Sequence, residues 1–170
     1  MLDHFKTLLF PSFIAADVLP LAGTGYIDTV PNAIGEVEST LDVIQYQWHW
    51  YKYKENSSVT KLSRAVLNAA LRGVKVRILP NKEGPSNPLT AINVEAKKYL
   101  EEAGCKVKFG PSFPVTHAKL WLLDEELTIL GSHNISERSV LHNDETSVII
   151  SSRAIQKYFK DYFELLWNRQ

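Results

Sequence analysis

An α/β fold, with a central mixed and mostly parallel sheet between layers of helices, is predicted by three features of this sequence. Between residues 31 and 109, helical periodicity and short β-branched runs alternate, the pattern of parallel strands joined by crossover helices. Residues 115–130 then read as two strands around the charged turn Asp124-Glu125-Glu126, an antiparallel hairpin. Finally, 153–168 carry Ile155, Tyr158, Phe159, Tyr162, Phe163 and Leu166 at helical spacing, an apolar stripe broad enough to cover a sheet face.

In chain order, residues 1–28 lack a clear period and are expected to pack on the domain as an N-terminal extension. Leu8 to Ala16 is apolar after Lys6, but Asp3, His4, Pro11 and Asp17 argue against both a signal peptide and a membrane span, which slightly favours the cytoplasm. Pro31 suits the first position of a helix that continues through Ile34, Val37 and Leu41. Asp42 to Trp50 alternates, with Ile44, Tyr46, Trp48 and Trp50 on one strand face. Asn56-Ser57-Ser58 can cap a helix running to Arg72, with Leu62, Ala65, Val66, Ala69 and Ala70 on its buried stripe and Gly73 at its end. A strand at 74–79, a Gly/Pro/Ser-rich loop at 81–88, a helix at about 89–103 and a strand at 105–109 follow. After the hairpin come a strand at 145–150 and the last helix. No repeat, low-complexity run or linker divides residues 29–170, which read as a single domain.

The chain has 170 residues, 19 basic against 19 acidic, with 45% hydrophobic and 22% charged residues, an ordinary globular composition with no overall electrostatic footprint. A nucleic-acid partner would therefore need a local basic groove. Cys105 is the single cysteine, so an intramolecular disulfide is excluded.

Chemistry concentrates in VTHAKLWLLDEELTILGSHN, residues 115–134. On a strand the period of two puts His117 and Lys119 on one face, and Gly131 would let Ser132 and Asn134 return beside them. An imidazole that can attack or transfer a proton, a fixed cation, an amide and a hydroxyl together suit a phosphate group better than a carbonyl or a metal. The pattern H-x-K-x4-D-x6-G-S-x-N resembles the signature of the phospholipase D superfamily with every specified position present. Six specified residues would match by accident in on the order of one chain per million of this length. The order of elements over roughly residues 30–168 also resembles one complete half of a phospholipase D-type fold.

Most members of that superfamily carry the signature twice; this chain carries it once and resembles the small single-copy subgroup, bacterial nucleases among them. Membership would imply a symmetric homodimer that joins two half-sites at the active-site face. It would imply a metal-independent phosphodiesterase without cofactor, in which one His117 forms a phosphohistidine and the other protonates the leaving oxygen. Lys119 and Asn134 would hold the phosphate oxygens with Ser132 assisting. Glu145, or its neighbour Asp144, would orient the histidine. Asp124 is expected to organise the hairpin turn and Gly131 to support the site.

The resemblance implies an endonuclease acting on DNA or RNA as the first reading. A phospholipase D or phosphatidyl-transfer activity on a phospholipid is the alternative, and a phosphate-binding module without turnover is a third class. Trp48 and Trp50 are candidate substrate contacts, with core packing as the competing role. The same choice between a phosphate-tracking patch and a solvated face holds for Lys52, Lys54, Lys61 and Arg64. His133 and His142 fit no zinc spacing with His117 or Cys105, and Ser132 lacks the G-x-S-x-G context of an esterase nucleophile.

Overall fold

The structure is a computed structural model that describes residues 13–110 and 114–169. Residues 1–12, with most of the apolar N-terminal run, lie outside the described residues, as do 111–113. The elements run β1 (Asp17–Ala22), α1 (Gly25–Gly35), β2 (Thr40–Gln45), α2 (Ser58–Leu71), β3 (Lys75–Pro80), α3 (Pro88–Glu102), β4 (Lys106–Val107), β5 (Lys119–Leu123), β6 (Leu127–Gly131), α4 (Glu137–Leu141), β7 (Thr146–Ser151) and α5 (Arg153–Trp167).

Caps at three helix starts follow the local chemistry. Ser57 accepts a hydrogen bond from the Thr60 N–H, Asn87 from Leu89 ahead of Pro88, and Ser152 from Ile155. Each satisfies a backbone donor that the helix itself cannot, worth about 1 kcal/mol.

The seven strands form one sheet in the order β1-β7-β6-β5-β2-β3-β4. The parallel part is confined to β2-β3 and β3-β4, and the other four pairings are antiparallel. The sheet is thus mixed as expected but less parallel. The hairpin β5-β6 sets itself antiparallel against β2, and β1 closes the far edge against β7.

Residues 17–28, expected to lie in an extension, supply β1 and the first turn of α1. Helix α1 accordingly starts at Gly25, six residues before the predicted N1 proline, and carries Pro31 inside it. Leu41, placed on that helix by its spacing, belongs to β2.

One sheet face packs Val43, Trp121 and Ile129 against Tyr26, Val30 and Ile34 of α1, Leu62 and Val66 of α2, and Leu100 of α3. The other packs Ile44, Leu79, Leu120 and Leu122 against Phe163, Leu166 and Trp167 of α5. Alternation along β5 produces this split: Trp121 and Leu123 face the first layer, Leu120 and Leu122 the second. Asp42 is buried under α5, where Arg77 and Lys160 pair with it and Arg77 lies 4.8 Å from the Phe163 ring centroid.

Strand β2 stops at Gln45, short of the predicted 50. Asn93 of α3 takes the role of a neighbouring strand. Its Oδ1 accepts from the Trp48 N–H at 2.8 Å and its Nδ2 donates to the Tyr46 carbonyl at 2.8 Å. Beyond this point Trp48 makes only a single bridge with Ile135.

Candidate active site

His117 is exposed, on the approach to β5 rather than in it, and Lys119 opens the strand. The Lys119 side chain is buried and folds back: its Nζ donates to the His117 carbonyl at 2.7 Å and lies 3.2 Å from His117 Nδ1 and 3.4 Å from Nε2. Burial pushes the Lys119 ammonium down to about 8, against a smaller upward pull from Glu145. Burial, then the Lys119 charge, lower the His117 pKa, while Glu83 opposes them. The imidazole is therefore favoured neutral near pH 7, as a nucleophile requires. Among the described residues, no carboxylate forms an ion pair with Lys119.

Ser132 sits at the entrance to β7, where its hydroxyl accepts from the Thr146 N–H at 3.1 Å and lies 3.3 Å from the Thr146 carbonyl. The Asn134 N–H donates to Ser139 Oγ at 2.8 Å, and its side-chain Oδ1 is buried with no hydrogen-bond partner among the described residues. Glu145 does not reach its own chain's His117. Its Oε1 accepts from Ser139 Oγ at 2.9 Å and from Asn143 Nδ2 at 3.1 Å, and contacts of this kind hold its carboxyl below the usual range despite burial.

Gly131 does more than permit a bend. A Cβ added there would stand 2.1 Å from Ser147 Oγ and 2.4 Å from the Thr146 carbonyl oxygen, so the close approach of β6 to β7 needs glycine. Asp124 lies in the left-handed region, at φ 49°, and its carboxylate accepts from the N–H groups of Glu38, Ser39 and Thr40 at 3.1, 2.8 and 2.9 Å. It ties the hairpin turn to the start of β2 and takes no part in the His117 cluster.

Trp48 does not line the site. It is fully buried, its Nε1 donates to Ser63 Oγ at 3.1 Å, and its ring meets Trp121. The end of β2 at Gln45 turns it into the core. Trp50 stacks on Tyr99 at 4.7 Å and lines a separate pocket with Tyr51, Lys52 and Arg64, to which no signature residue contributes. Lys54 pairs with Glu137 at 2.9 Å, and Arg64 lies 3.9 Å from Glu55.

His133 is a buried structural residue. It stacks on Tyr26 at 4.2 Å, with Nδ1 2.8 Å from Ser147 Oγ and Nε2 3.3 Å from the Gly23 carbonyl oxygen. A neutral ring donating from Nε2 and accepting at Nδ1 satisfies both contacts. Among the described residues, no three of His, Cys, Asp and Glu gather so as to hold a metal ion.

Tyr46, Asn81, Glu83 and Asn93 also build the site, and sequence reasoning missed three of them and misplaced Tyr46. The Tyr46 ring lies 4.3 Å from that of His117, tilted by 50°, with Lys119 Nζ 4.9 Å from its centroid. Its hydroxyl donates to Glu83 Oε1 at 3.0 Å. Fully buried Asn81 accepts from the Thr116 N–H at 3.0 Å, fixing the backbone that presents His117.

Comparisons with known proteins bear on the fold and the family. The chain is 31% identical to the mitochondrial cardiolipin hydrolase of Xenopus tropicalis over 110 residues, which cover 65% of this chain and 50% of that protein. It is 26% identical to the 5'-3' exonuclease PLD3 of Xenopus tropicalis over 149 residues, covering 80% of this chain and 29% of that one. It thus spans half or less of the length of these curated relatives. Its fold matches the crystal structure of the phospholipase D family member Nuc from Salmonella typhimurium with a TM-score of 0.77. That match has 20% identity and covers 91% of this chain and 96% of that one. Residues 30–167 match the family described as cardiolipin synthase, PLD-like domain, and the chain belongs to the phospholipase D superfamily.

Proposed function

We propose that this chain is a metal-independent phosphodiesterase that cleaves DNA or RNA through a phosphohistidine, at a site completed by a second copy. The observation that carries this reading is the buried Lys119 ammonium beside an exposed His117, with no carboxylate in an ion pair with it among the described residues. A phosphodiester supplies the missing anion and brings its phosphorus to the imidazole. A neutral His117 nitrogen attacks phosphorus, an N–P bond forms and a P–O bond breaks, and the partner's His117 donates its proton to the leaving oxygen. That histidine then takes a proton from water, whose oxygen attacks phosphorus and releases His117. Lys119 and Asn134 from both copies supply the charge stabilisation that other phosphodiesterases obtain from metal ions, with Ser132 assisting. Within one protomer Glu145 is free of His117, so its orienting role would act on the other copy's ring.

A nucleic-acid substrate is supported by the likeness to an exonuclease. A phospholipid substrate is the second reading, favoured by the likeness to a cardiolipin hydrolase and by the description of the family. No helix among the described residues is long and apolar enough to cross a membrane.

The test is cleavage of end-labelled single- and double-stranded DNA and RNA in excess EDTA, beside His117→Ala and beside cardiolipin vesicles. Cutting of nucleic acid by the wild type alone supports the first reading. Turnover of lipid alone transfers it to the second. Equal cutting by His117→Ala, or a need for divalent metal, refutes the mechanism. Sedimentation should give a dimer; a monomer that retains full activity refutes the shared site.

A further inference from the structure

We propose that Tyr46 is a positioning residue of this site: its ring braces the His117 imidazole and the Lys119 ammonium, and Glu83 anchors its hydroxyl to the loop after β3. The kinetic part of the proposal rests on the phosphodiesterase reading; the structural part does not.

His117 is exposed and, among the described residues, its ring reaches no acceptor that would fix it. Among the described residues its ring neighbours are Lys119 Nζ, at the end of a long aliphatic side chain, and the Tyr46 ring at 4.3 Å. Tyr46 is the rigid member of the trio. The tilted ring contact restricts the imidazole on one side, and the same ring lies 4.9 Å from the Lys119 ammonium, a distance at which the aromatic face attracts a cation.

Tyr46 is itself held at both ends. Its carbonyl accepts from Asn93 Nδ2 at 2.8 Å, and the same amide nitrogen donates to the Asn81 carbonyl at 2.9 Å. Asn81 Oδ1 accepts from the Thr116 N–H, immediately before His117, at 3.0 Å. The backbones that carry Tyr46 and His117 therefore hang from one pair of buried asparagines. At the other end the phenol donates to Glu83, whose carboxylate also accepts from Asn81 Nδ2 at 3.3 Å and from Asn87 Nδ2, and whose N–H donates to Thr90 Oγ1 at 3.1 Å. A carboxylate with three donors and a braced backbone is a fixed post.

Among the described residues, the groups that face His117 are Lys119 from β5, Tyr46 after β2 and the Glu83 charge from the loop after β3. Glu83 thus has a second effect: its negative charge favours the imidazolium against Lys119. The advantage for an in-line displacement is geometric, because a nucleophile displaced by about 1 Å can lose on the order of 100-fold in rate.

The experiment compares Tyr46→Leu, Tyr46→Phe and Glu83→Gln with wild type in the full chain. The His117 Cε1–H resonance, assigned by its loss in His117→Ala, reports the ring current of Tyr46 whether or not the protein turns over substrate. Kinetics on bis(p-nitrophenyl) phosphate report the chemistry. Tyr46→Leu should move the resonance toward that of a free histidine and lower kcat by about 10- to 100-fold with KM little changed. Tyr46→Phe, which keeps the ring and loses the Glu83 anchor, should give a resonance shift and a kcat between those of wild type and Tyr46→Leu. Glu83→Gln should move the acid limb of the kcat/KM profile to lower pH, since loss of the carboxylate lowers the His117 pKa further.

A Tyr46→Leu protein whose His117 resonance is unmoved overturns the proposal, even if it melts earlier, because Tyr46 would then serve the scaffold alone. A moved resonance with wild-type kcat overturns the positioning role. If wild type turns over no phosphodiester, the proposed function fails while the resonance still decides the structural claim.

Discussion

Replacing Asp124 separates a structural from a chemical role for the acidic member of the signature. Its carboxylate accepts three backbone hydrogen bonds, from Glu38, Ser39 and Thr40, within 3.1 Å. Charge-assisted bonds contribute about 1.5–3 kcal/mol each when well buried. Here two of the donors are exposed, so water replaces part of what is lost, and Asp124→Ala is expected to cost about 2–3 kcal/mol. For a chain of this size that is a melting temperature lower by roughly 4–12 °C.

Asp124→Asn keeps an acceptor and tolerates the left-handed backbone, so it should cost about half as much. The three donors outweigh burial and hold the Asp124 pKa below its ordinary value. The sign follows: a depressed carboxylate stabilises fully above its unfolded pKa of about 4, and that contribution is lost as pH falls through the folded value. Thermal melts from pH 7 to pH 3 should show the gap between wild type and Asp124→Ala narrowing at the acid end. Activity per folded molecule should stay within about threefold of wild type, because the carboxylate lies outside the His117 cluster. An unchanged melting temperature would refute the clasp, and a collapse of kcat in a stably folded Asp124→Asn would show that the residue serves the chemistry.

Gly131→Ala should destabilise by about 1–3 kcal/mol or more, since its Cβ meets β7 backbone and strand separation is the only relief; a denaturant titration with an unchanged midpoint would contradict this. Lys119 loses its proton through about pH 8, so inhibition by sulfate, whose charge is constant over this range, should weaken as pH rises from 7 to 9. Lys119→Arg should flatten that profile because its guanidinium stays charged, and a wild-type inhibition constant that is flat across the range would show that Lys119 is not the anion's partner.

Much of the architecture was legible because it is carried by local chemistry. Ser57 sits where a helix start needs an acceptor, and the stripes of α2 and α5 follow the 3.6-residue period. Strand β1 was not legible: it faces solvent along most of its length, contains Pro20 and so shows no alternation. The aromatic alternation through Trp50 misled for the opposite reason. It has a strand's period, but Asn93, distant in sequence, ends the strand by taking its hydrogen bonds. At the candidate site, His117, Lys119, Ser132 and Asn134 stand out because a rare combination lies in one short stretch, and the structure sets His117 and Lys119 in contact. Asn81 and Glu83 come from the loop after β3 and Asn93 from α3, far from the signature in sequence, and each is unremarkable in its own surroundings.

That division has a physical cause. The signature places the proposed reacting groups on an antiparallel hairpin whose own strand begins only at Lys119, so the hairpin cannot position His117 by itself. The rigidity comes from the parallel half of the sheet, where β2 and β3 end side by side and release Tyr46 and Asn81 at the same edge. A buried amide has donors and an acceptor on one planar group, so it can replace a strand's hydrogen bonds at the place where the strands must stop to leave room for substrate. Asn81 and Asn93 do so, and each is fully buried. Removing either leaves buried backbone groups unpaired, at about 1–3 kcal/mol each, so stability and site geometry rest on the same side chains. The signature occupies one short run of sequence, while the frame that holds His117 and Lys119 is spread over segments that meet only in the fold.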